Sequence, residues 1–269
     1  MKHIEALILD WAGTVVDYGS IAPTSIFVEA FKQGFDFDIS LEEARGPMGM
    51  GKWDHIDTLI NADSIKMRWQ NQFGRLPNQE DVDQIYNTFM PLQQAKVTDR
   101  AAPIEGVLPV IHRLQSDNVK IGSCSGYPKP VMDVLVPAAA EYGYKPDCVV
   151  ASDECEAGSR PGPWMALENV QKLGISRVSA CVKVDDSVHG ISEGLNAGMW
   201  TVGIAVTGNA IGLSEQEWAN ESDASQVSLT RKAYAQLASA GAHYIIDSLA
   251  DIEPILHAIE ARIARGERP

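Results

Sequence analysis

The stretch that decides the fold lies near the amino terminus, where residues 4–17 read IEALILDWAGTVVD. An apolar run of strand character, residues 6–9, stops at Asp10 and is followed by a small-residue turn at Ala12-Gly13. In open parallel α/β sheets, the crevice that binds ligands lies just beyond the carboxyl ends of the strands. We therefore expect Asp10 to face a functional site and not the protein core.

Composition and charge narrow the class of protein. The 269 residues are 45% hydrophobic and 22% charged, which is typical of a soluble globular protein with one large domain or two smaller ones. The formal net charge of -14 argues against broad binding to nucleic acid or anionic membranes, although a local pocket for a small anion is compatible with it. No signal peptide and no apolar stretch near the roughly 20 residues of a membrane helix is apparent, so a cytoplasmic location is expected.

The cysteines predict no metal site of their own. They have neither Cys-x-x-Cys spacing nor a paired histidine, which argues against zinc. We expect reduced, mostly buried thiols without a catalytic role at Cys124, Cys148, Cys155 and Cys181.

Between about residues 22 and 98 the sequence loses strand character and predicts roughly five helices. Pro23 can begin the first of them, Ser40 begins a capping box with Glu43, and Asn78 begins another helix. Because no convincing strand lies among these helices, residues 21–99 are expected to form a helical module inserted into another domain.

The remaining chain alternates between helices and strands. Such alternation calls for βαβ units, a parallel sheet and helices on both faces. The predicted fold class is therefore α/β, with a doubly wound parallel-sheet (Rossmann-like) core made of residues 1–20 and 100–269. Residues 207–225 are expected to be a loop with one short helix. The predicted elements are helices at 104–117, 130–142, 164–173 and 191–197, strands at 119–123, 148–151, 180–184 and 201–204, and a final strand and helix within 243–265.

A pair of acids, Asp185 and Asp186, ends the apolar strand that is predicted near residue 180. Adjacent carboxylates at a buried strand end are costly unless a positive charge is nearby, and Mg²⁺ favours oxygen ligands. The alternative is that the two acids only cap the helix after Ser187.

Two further stretches could bind an anion. Ser125 and Gly126 follow a strand, where a hydroxyl and backbone amides can donate to phosphate, although Ser-Gly is also an ordinary turn. Arg160 lies in a proline-rich loop before a helix and could hold a phosphoryl group in bidentate fashion. Lys183 is the competing cation, but it lies inside the strand and could simply pair with the acids.

Lys52 follows a glycine-rich loop, since residues 46–55 read GPMGMGKWDH. Such a loop can approach a ligand closely and can remove the lysine amine from water. A lysine with a reference pKa of ~10.4 must be brought toward ~7–8 to act as a nucleophile, which burial can achieve. The alternative is a solvated surface lysine.

The first stretch resembles the haloacid dehalogenase-like superfamily, whose first motif is a strand followed by Asp-x-Asp-Gly-Thr. Here Ala12 replaces the second aspartate. The resemblance implies that Asp10 is the nucleophile and that Asp10, the Ala12 backbone carbonyl and Asp186 hold Mg²⁺. It also implies that Ser125, Gly126 and Arg160 bind the phosphoryl group. Many members carry a further acid at the position of Gly190; Asp185 is the candidate for that charge, and which acid of the pair touches the metal stays open.

Ala12 selects among the reactions of this superfamily. In its phosphatases the second aspartate protonates the departing oxygen, which alanine cannot do. Cleavage of a carbon–phosphorus bond would expel a carbanion unless a protonated imine accepts the electron pair. A cap lysine together with Ala12 resembles the phosphonatase family, which hydrolyses phosphonoacetaldehyde. The matching stretches are residues 10–14, 17–19, 47–49 with Lys52 and His55, 125–127, 160–164 and 194–203.

This resemblance implies a mechanism in which Lys52 forms a Schiff base and Asp10 becomes an aspartyl phosphate. Met48, His55 and Tyr127 are placed near Lys52 or the substrate. The helical module becomes a cap domain that closes over the substrate, and the resemblance further implies a homodimer joined through the caps. The competing functions are a phosphate-monoester phosphatase or dehalogenase of the same superfamily and a catalytically silent binding module.

Overall fold

A six-stranded parallel sheet lies at the centre of the molecule, which a computed structural model describes from residue 1 to residue 269. Its strand order is β3-β2-β1-β4-β5-β6, so the chain moves outward on one side of β1 and then returns to continue on the other. The carboxyl end of β1 thus lies at the point where the winding reverses, which is where such folds bind ligands. The strands are β1 Ala6–Leu9, β2 Lys120–Cys124, β3 Cys148–Val150, β4 Cys181–Asp185, β5 Trp200–Ile204 and β6 Tyr244–Ile246.

Helices cover both faces of this sheet, and the period of the central strand shows why. Successive residues of a strand point to opposite faces. Leu7 and Leu9 pack into a cluster of 33 buried residues with the helices at 107–116, 129–141 and 253–264, whereas Ala6 and Ile8 pack on the other face with the helix at 164–173. The predicted α/β fold with a doubly wound parallel sheet is confirmed. The helices here are α6 Val107–Ser116, α7 Lys129–Glu141, α8 Trp164–Leu173, α9 Val188–Ala197, α10 Glu215–Asn220, α11 Asp223–Ser239 and α12 Glu253–Ala264.

Five of the six α-helices between β1 and β2 have a separate core, and we call them the helical segment (residues 21–96). Their 16 buried apolar residues lie between Ile26 and Phe89 and form a cluster distinct from those against the sheet. The chain leaves and re-enters the sheet region side by side, because the Ile104 amide donates to the Val15 carbonyl at 2.8 Å. The division into domains at residues 20 and 100 stays a prediction. The helices are α1 Ile21–Phe35, α2 Leu41–Arg45, α3 Lys52–Asn61, α4 Asp63–Phe73 and α5 Gln79–Lys96.

Helix starts in this segment follow the capping residues, with one correction. The capping boxes at Ser40 and Asn78 are both present. Helix α1 begins at Ile21 and not at Pro23, because the Asp17 carboxylate accepts from the Ala22 amide at 3.0 Å and so satisfies a first-turn donor upstream of the proline. Proline is tolerated in a first turn because its missing N–H has no intrahelical partner there.

The sequence-based prediction omitted one helix and misplaced the start of another. The short helix α10 within residues 207–225 is present, but α11 begins at Asp223 and continues for 17 residues. Its apolar periodicity is weak because only Ala233 and Leu237 are buried. Helix α6 begins at Val107 and not at residue 104, since Gly106 has a φ of 78° and interrupts the helix upstream. No helix of the chain is both long and apolar enough to cross a membrane.

Candidate active site

A small pocket lies at the carboxyl ends of the central strands, between the sheet and the helical segment. The space between its lining residues, including its opening to solvent, is about 280 Å³. All the sequence-predicted site residues line it except His55 and Asp185. The lining consists of Asp10, Ala12, Ser20, Pro23, Met48, Gly49, Lys52, Ser125, Gly126, Tyr127, Arg160 and Asp186.

Three buried carboxylates meet at the strand ends. Oxygens of Asp10, Asp185 and Asp186 lie within 4.8 Å of one another. Burial and the negative charge of Asp185 raise the pKa of Asp10 to about 6, although Arg160 opposes the shift. Burial, Asp10 and Asp185 raise the pKa of Asp186 well above its usual value. The pKa of Asp10 and of Asp186 is thus raised even with Arg160 beside them, and these hard oxygen donors fit a divalent cation such as Mg²⁺.

Asp185 and Asp186 occupy different places, although they are adjacent in sequence. Asp186 lines the pocket and accepts from the Asn209 amide at 2.7 Å. Asp185 lies behind it and accepts from Lys183 Nζ at 2.6 Å and from Ser187 Oγ at 2.7 Å. Burial alone would raise the pKa of Asp185, but Arg160 and Lys183 hold it below the usual value.

The glycine at position 190 is explained by the same carboxylate. A Cβ at Gly190 would lie 1.9 Å from the Asp185 Cγ, so the Asp185 side chain fills the space that a side chain at residue 190 would need. The helix-capping alternative would place both acids at the start of α9, but neither accepts a hydrogen bond from an amide of that helix. Asp185 Oδ1 accepts from the Ser187 amide at 3.1 Å, while Ser187 itself caps α9.

Arg160 is buried and contacts three carboxylates. Its Nη1 lies 2.9 Å from Asp10 Oδ1, its Nη2 lies 3.1 Å from Asp185 Oδ2, and its Nε lies 2.8 Å from Glu193 Oε2. It also lines the pocket, so one edge of the guanidinium is near any phosphoryl group that approaches Asp10. Lys183 does not line the pocket and pairs with Asp185 and Glu193.

Lys52 is an amine removed from water without a carboxylate partner. It is the first residue of α3 and only 4% exposed, and its Nζ lies 4.9 Å from the Tyr127 ring centroid and 5.5 Å from that of Phe27. Burial lowers the pKa of Lys52 to about 8, against the opposing charge of Asp10. The positive end of α3 acts in the same direction as burial. The amine is therefore prepared to act as a nucleophile near neutral pH.

His55 lies one turn after Lys52 but does not reach the pocket. Its Nε2 lies 2.8 Å from the Ala44 carbonyl, and because a carbonyl only accepts, Nε2 carries the proton. The ring stacks on Phe27 at 3.9 Å, and burial holds the pKa of His55 well below its ordinary value. His55 is thus a neutral, buried ring that forms part of the surroundings of Lys52.

The loop that carries Met48 fits closely against the strand ends. A Cβ at Gly126 would lie 2.6 Å from the Met50 carbonyl, and one at Gly49 would lie 2.2 Å from Ser187 Oγ. Glycine at both positions lets the two backbones approach. Ser125 Oγ accepts from the Tyr127 amide at 3.0 Å and lines the pocket, where its hydroxyl can donate to a bound oxygen.

Comparisons with a family model and with the sequences of known proteins point to one enzyme family. The family model described as haloacid dehalogenase-like hydrolase matches residues 4–198. A phosphonoacetaldehyde hydrolase from Aeromonas hydrophila is 59% identical, covering 99% of this chain and 95% of that protein. One from Klebsiella pneumoniae is 57% identical over the full length of both. The chain belongs to the phosphonoacetaldehyde hydrolase family.

Solved structures agree with this membership of the phosphonoacetaldehyde hydrolase family. A phosphonoacetaldehyde hydrolase-like protein from Oleispira antarctica superposes with a TM-score of 0.96 at 41% identity, covering 99% of this chain and 96% of that one. The β-phosphoglucomutase of Clostridium difficile, at 17% identity and a TM-score of 0.65, shares the fold alone.

Sequence reasoning missed several residues that this member of the phosphonoacetaldehyde hydrolase family brings to the site. Ser20 and Pro23 line the pocket because α1 begins directly beside it. Glu193 is fully buried in α9 and contacts both Arg160 and Lys183. The only signal for Glu193 was an acid on the apolar face of a predicted helix.

Proposed function

We propose that this chain hydrolyses the carbon–phosphorus bond of phosphonoacetaldehyde to give acetaldehyde and phosphate. The observation that carries the proposal is the buried, unpaired amine of Lys52, which lines one pocket with the carboxylate of Asp10. The names of the full-length relatives support the same substrate. A phosphatase expels an oxygen leaving group and so needs no amine that forms an imine.

The first step is condensation of the Lys52 amine with the substrate aldehyde, which releases water and leaves a protonated imine. Only the neutral amine attacks. With a pKa of about 8, roughly a tenth of Lys52 is neutral at pH 7, whereas an exposed lysine would be neutral in fewer than one molecule in a thousand. Tyr127 and Phe27 beside the amine keep water away from the imine.

The second step is attack of an Asp10 oxygen on phosphorus. The electron pair of the carbon–phosphorus bond becomes the carbon–carbon double bond of an enamine, and the imine electrons pass to nitrogen. The protein then carries an aspartyl phosphate at Asp10 and an enamine at Lys52. Ala12 fits this step because the leaving carbon needs no acid beside Asp10.

The last steps restore both residues. Water hydrolyses the aspartyl phosphate, the enamine takes a proton at carbon, and a second water releases acetaldehyde from the imine. One water was released when the imine formed, so the overall reaction consumes one water. Ser125, Gly126 and Arg160 are proposed to bind the phosphoryl oxygens, and Met48, His55 and Tyr127 to surround Lys52.

Asp10, the Ala12 backbone carbonyl and Asp186 would hold Mg²⁺, with Asp185 behind them. When bound, the ion neutralises the phosphoryl oxygens and so lets one anion attack another. The hydrogen bonds that Asp185 accepts from Lys183 and Ser187 support its place behind the proposed metal ligands, because they engage its carboxylate on the side away from the pocket.

The remaining proposals concern the whole chain. Residues 21–99 are proposed to act as a cap domain, which the separate core of the helical segment supports. A homodimer joined through the caps and a cytoplasmic location remain proposals that rest on the family resemblance.

Product analysis tests the reaction. Phosphonoacetaldehyde incubated with the protein and Mg²⁺ should yield phosphate and acetaldehyde in equal amounts, and a chelator should stop both. Phosphate release from simple phosphate monoesters without acetaldehyde from the phosphonate would support the phosphatase alternative. No product from either substrate would support a binding module.

A further inference from the structure

Arg45 is the last residue of α2, and its side chain extends from the helical segment to the loop after β5. Its Nη2 donates to the Gly212 carbonyl at 2.6 Å. Its Nη1 lies 3.3 Å from the Gly19 carbonyl and 3.4 Å from Asn209 Oδ1. The Asn209 amide in turn lies 3.5 Å from the Arg45 carbonyl. We call the three acceptors Gly19, Asn209 and Gly212 the arginine socket.

The arginine socket is shaped for a guanidinium. Gly212 has a φ of +67°, and a Cβ there would lie 2.2 Å from Arg45 Nη1, so the bare backbone makes the room that the side chain fills. All three acceptors are neutral oxygens, namely two backbone carbonyls and the side-chain oxygen of Asn209. A planar fork of donors can reach acceptors in several directions at once, which a lysine ammonium on a flexible stem does poorly.

The same loop contacts the candidate metal site. The Asn209 backbone amide donates to Asp186 Oδ2 at 2.7 Å. A Cβ at the neighbouring Gly208 would lie 2.6 Å from the Asp186 Cβ, so the loop backbone packs directly on that residue. Asn209 therefore touches Arg45 with its side chain and Asp186 with its backbone.

Arg45 is also linked to Lys52 through the intervening loop of the chain. The loop of residues 46–51 runs from Arg45 directly to Lys52 at the start of α3. The Gly19 end of the socket lies where the chain leaves the sheet for α1, beside the pocket-lining Ser20. The contact thus joins the helical segment to the sheet side at a position that carries no reacting group.

We infer that Arg45 is a positioning residue, whose docking in the arginine socket holds the helical segment closed over the sheet with Lys52 and Asp186 facing one pocket. The inference rests on the proposed function, because it assigns Arg45 a role in that reaction. Substrate joined to Lys52 and held at its phosphonate end spans the same gap, so bound substrate can replace much of what Arg45 does.

The kinetic consequence follows from this replacement. When the closed, binding-competent state is less populated before substrate binds, the apparent affinity for substrate falls in proportion to that population. Arg45→Ala should therefore raise KM for phosphonoacetaldehyde by about tenfold while changing kcat less than about threefold. A general loss of folded protein would instead lower kcat and leave KM unchanged.

The experiment compares Arg45→Ala and Arg45→Lys with Arg68→Ala, which removes a guanidinium bonded only within the helical segment, to Ser64, Asp38 and Glu43. Hydrogen exchange without substrate should quicken at residues 46–51 and 207–213 in both Arg45 variants and stay unchanged there in Arg68→Ala. Arg45→Lys keeps the charge and carries the test if the alanine variant does not fold.

Two results would overturn the inference: exchange at these loops equal to that of the wild type, or a fall in kcat with KM unchanged. The exchange comparison needs no turnover. A wild-type chain that releases no acetaldehyde therefore overturns the proposed function, while the exchange comparison still decides whether Arg45 docks the helical segment against the sheet.

Discussion

At the scale of single residues, burial turns an ordinary lysine into a candidate nucleophile. Lys52 has two aromatic rings beside it and no carboxylate partner, and its pKa falls to about 8. The charged groups that face it act in both directions, since Asp10 and Asp186 favour the ammonium and Arg160 disfavours it. Desolvation is the largest effect, so the amine loses its proton more easily than an exposed one.

The rate should therefore depend on pH through Lys52. Because only the neutral amine forms the imine, kcat/KM for phosphonoacetaldehyde should rise tenfold per pH unit below about 8 and level off above it. The measurement is a profile from pH 6 to 10 at saturating Mg²⁺. A profile that stays flat between pH 6 and 8 would contradict a rate-limiting role for this amine.

The residues that sequence reasoning found and missed differ in one physical respect. Asp10 and Lys52 carry local signals, a strand end and a glycine-rich loop, and both lie in the pocket. Glu193, Arg45 and Asn209 act through contacts with distant parts of the chain, at sequence separations of 33 residues for Arg160–Glu193 and 164 for Arg45–Asn209. A single sequence does not encode such contacts in any local pattern.

At the scale of elements, the loop between α2 and α3 is the part that brings the helical segment against the strand ends. It places Met48 and Gly49 in the pocket. The His189 ring nitrogen lies 2.9 Å from the Met48 carbonyl, and Arg160 Nη1 lies 3.3 Å from the Gly49 carbonyl. The closeness of these backbones depends on the glycines, which the sequence could predict as a close approach but not as a contact with Ser187.

Substitution of two glycines should separate docking of this loop from general stability. Gly49 and Gly74 both have positive φ, +95° and +71°, but a Cβ at Gly49 would meet Ser187 whereas one at Gly74 meets nothing within 4 Å. Both alanine variants should lose about 1 kcal/mol of unfolding free energy through backbone strain. Only Gly49→Ala should lose about 100-fold in kcat/KM, because small misplacements of reacting groups are that costly.

Thermal unfolding and steady-state kinetics of the two variants check this prediction. Equal kinetic losses in both would show that strain alone matters, and an unimpaired Gly49→Ala would show that the loop has room to spare. The strands could be predicted well because their apolar runs are continuous, whereas their order in the sheet depends on pairing between distant parts of the chain. Helix α11 could not, since with only two buried residues it has almost no apolar face.

At the scale of the whole molecule, two separately packed regions each supply half of the chemistry. The sheet presents Asp10, Asp186 and Arg160, and the helical segment presents Lys52. In the proposed reaction, the helical segment therefore supplies the amine that forms the imine, and the sheet supplies the carboxylate that accepts the phosphoryl group. The proposed mechanism connects Ala12 with Lys52: an imine at Lys52 would accept the electron pair of the leaving carbon, so no acid would be needed at residue 12.

Trapping the imine tests this account most directly. Borohydride added to the protein with acetaldehyde or phosphonoacetaldehyde should reduce the Schiff base, and peptide mass mapping should find one ethyl group per chain on Lys52. Lys52→Arg should fold and take up no label. An ethyl group on another lysine, or no modified lysine under turnover conditions, would contradict the assignment of Lys52 as the residue that makes carbon–phosphorus cleavage feasible here.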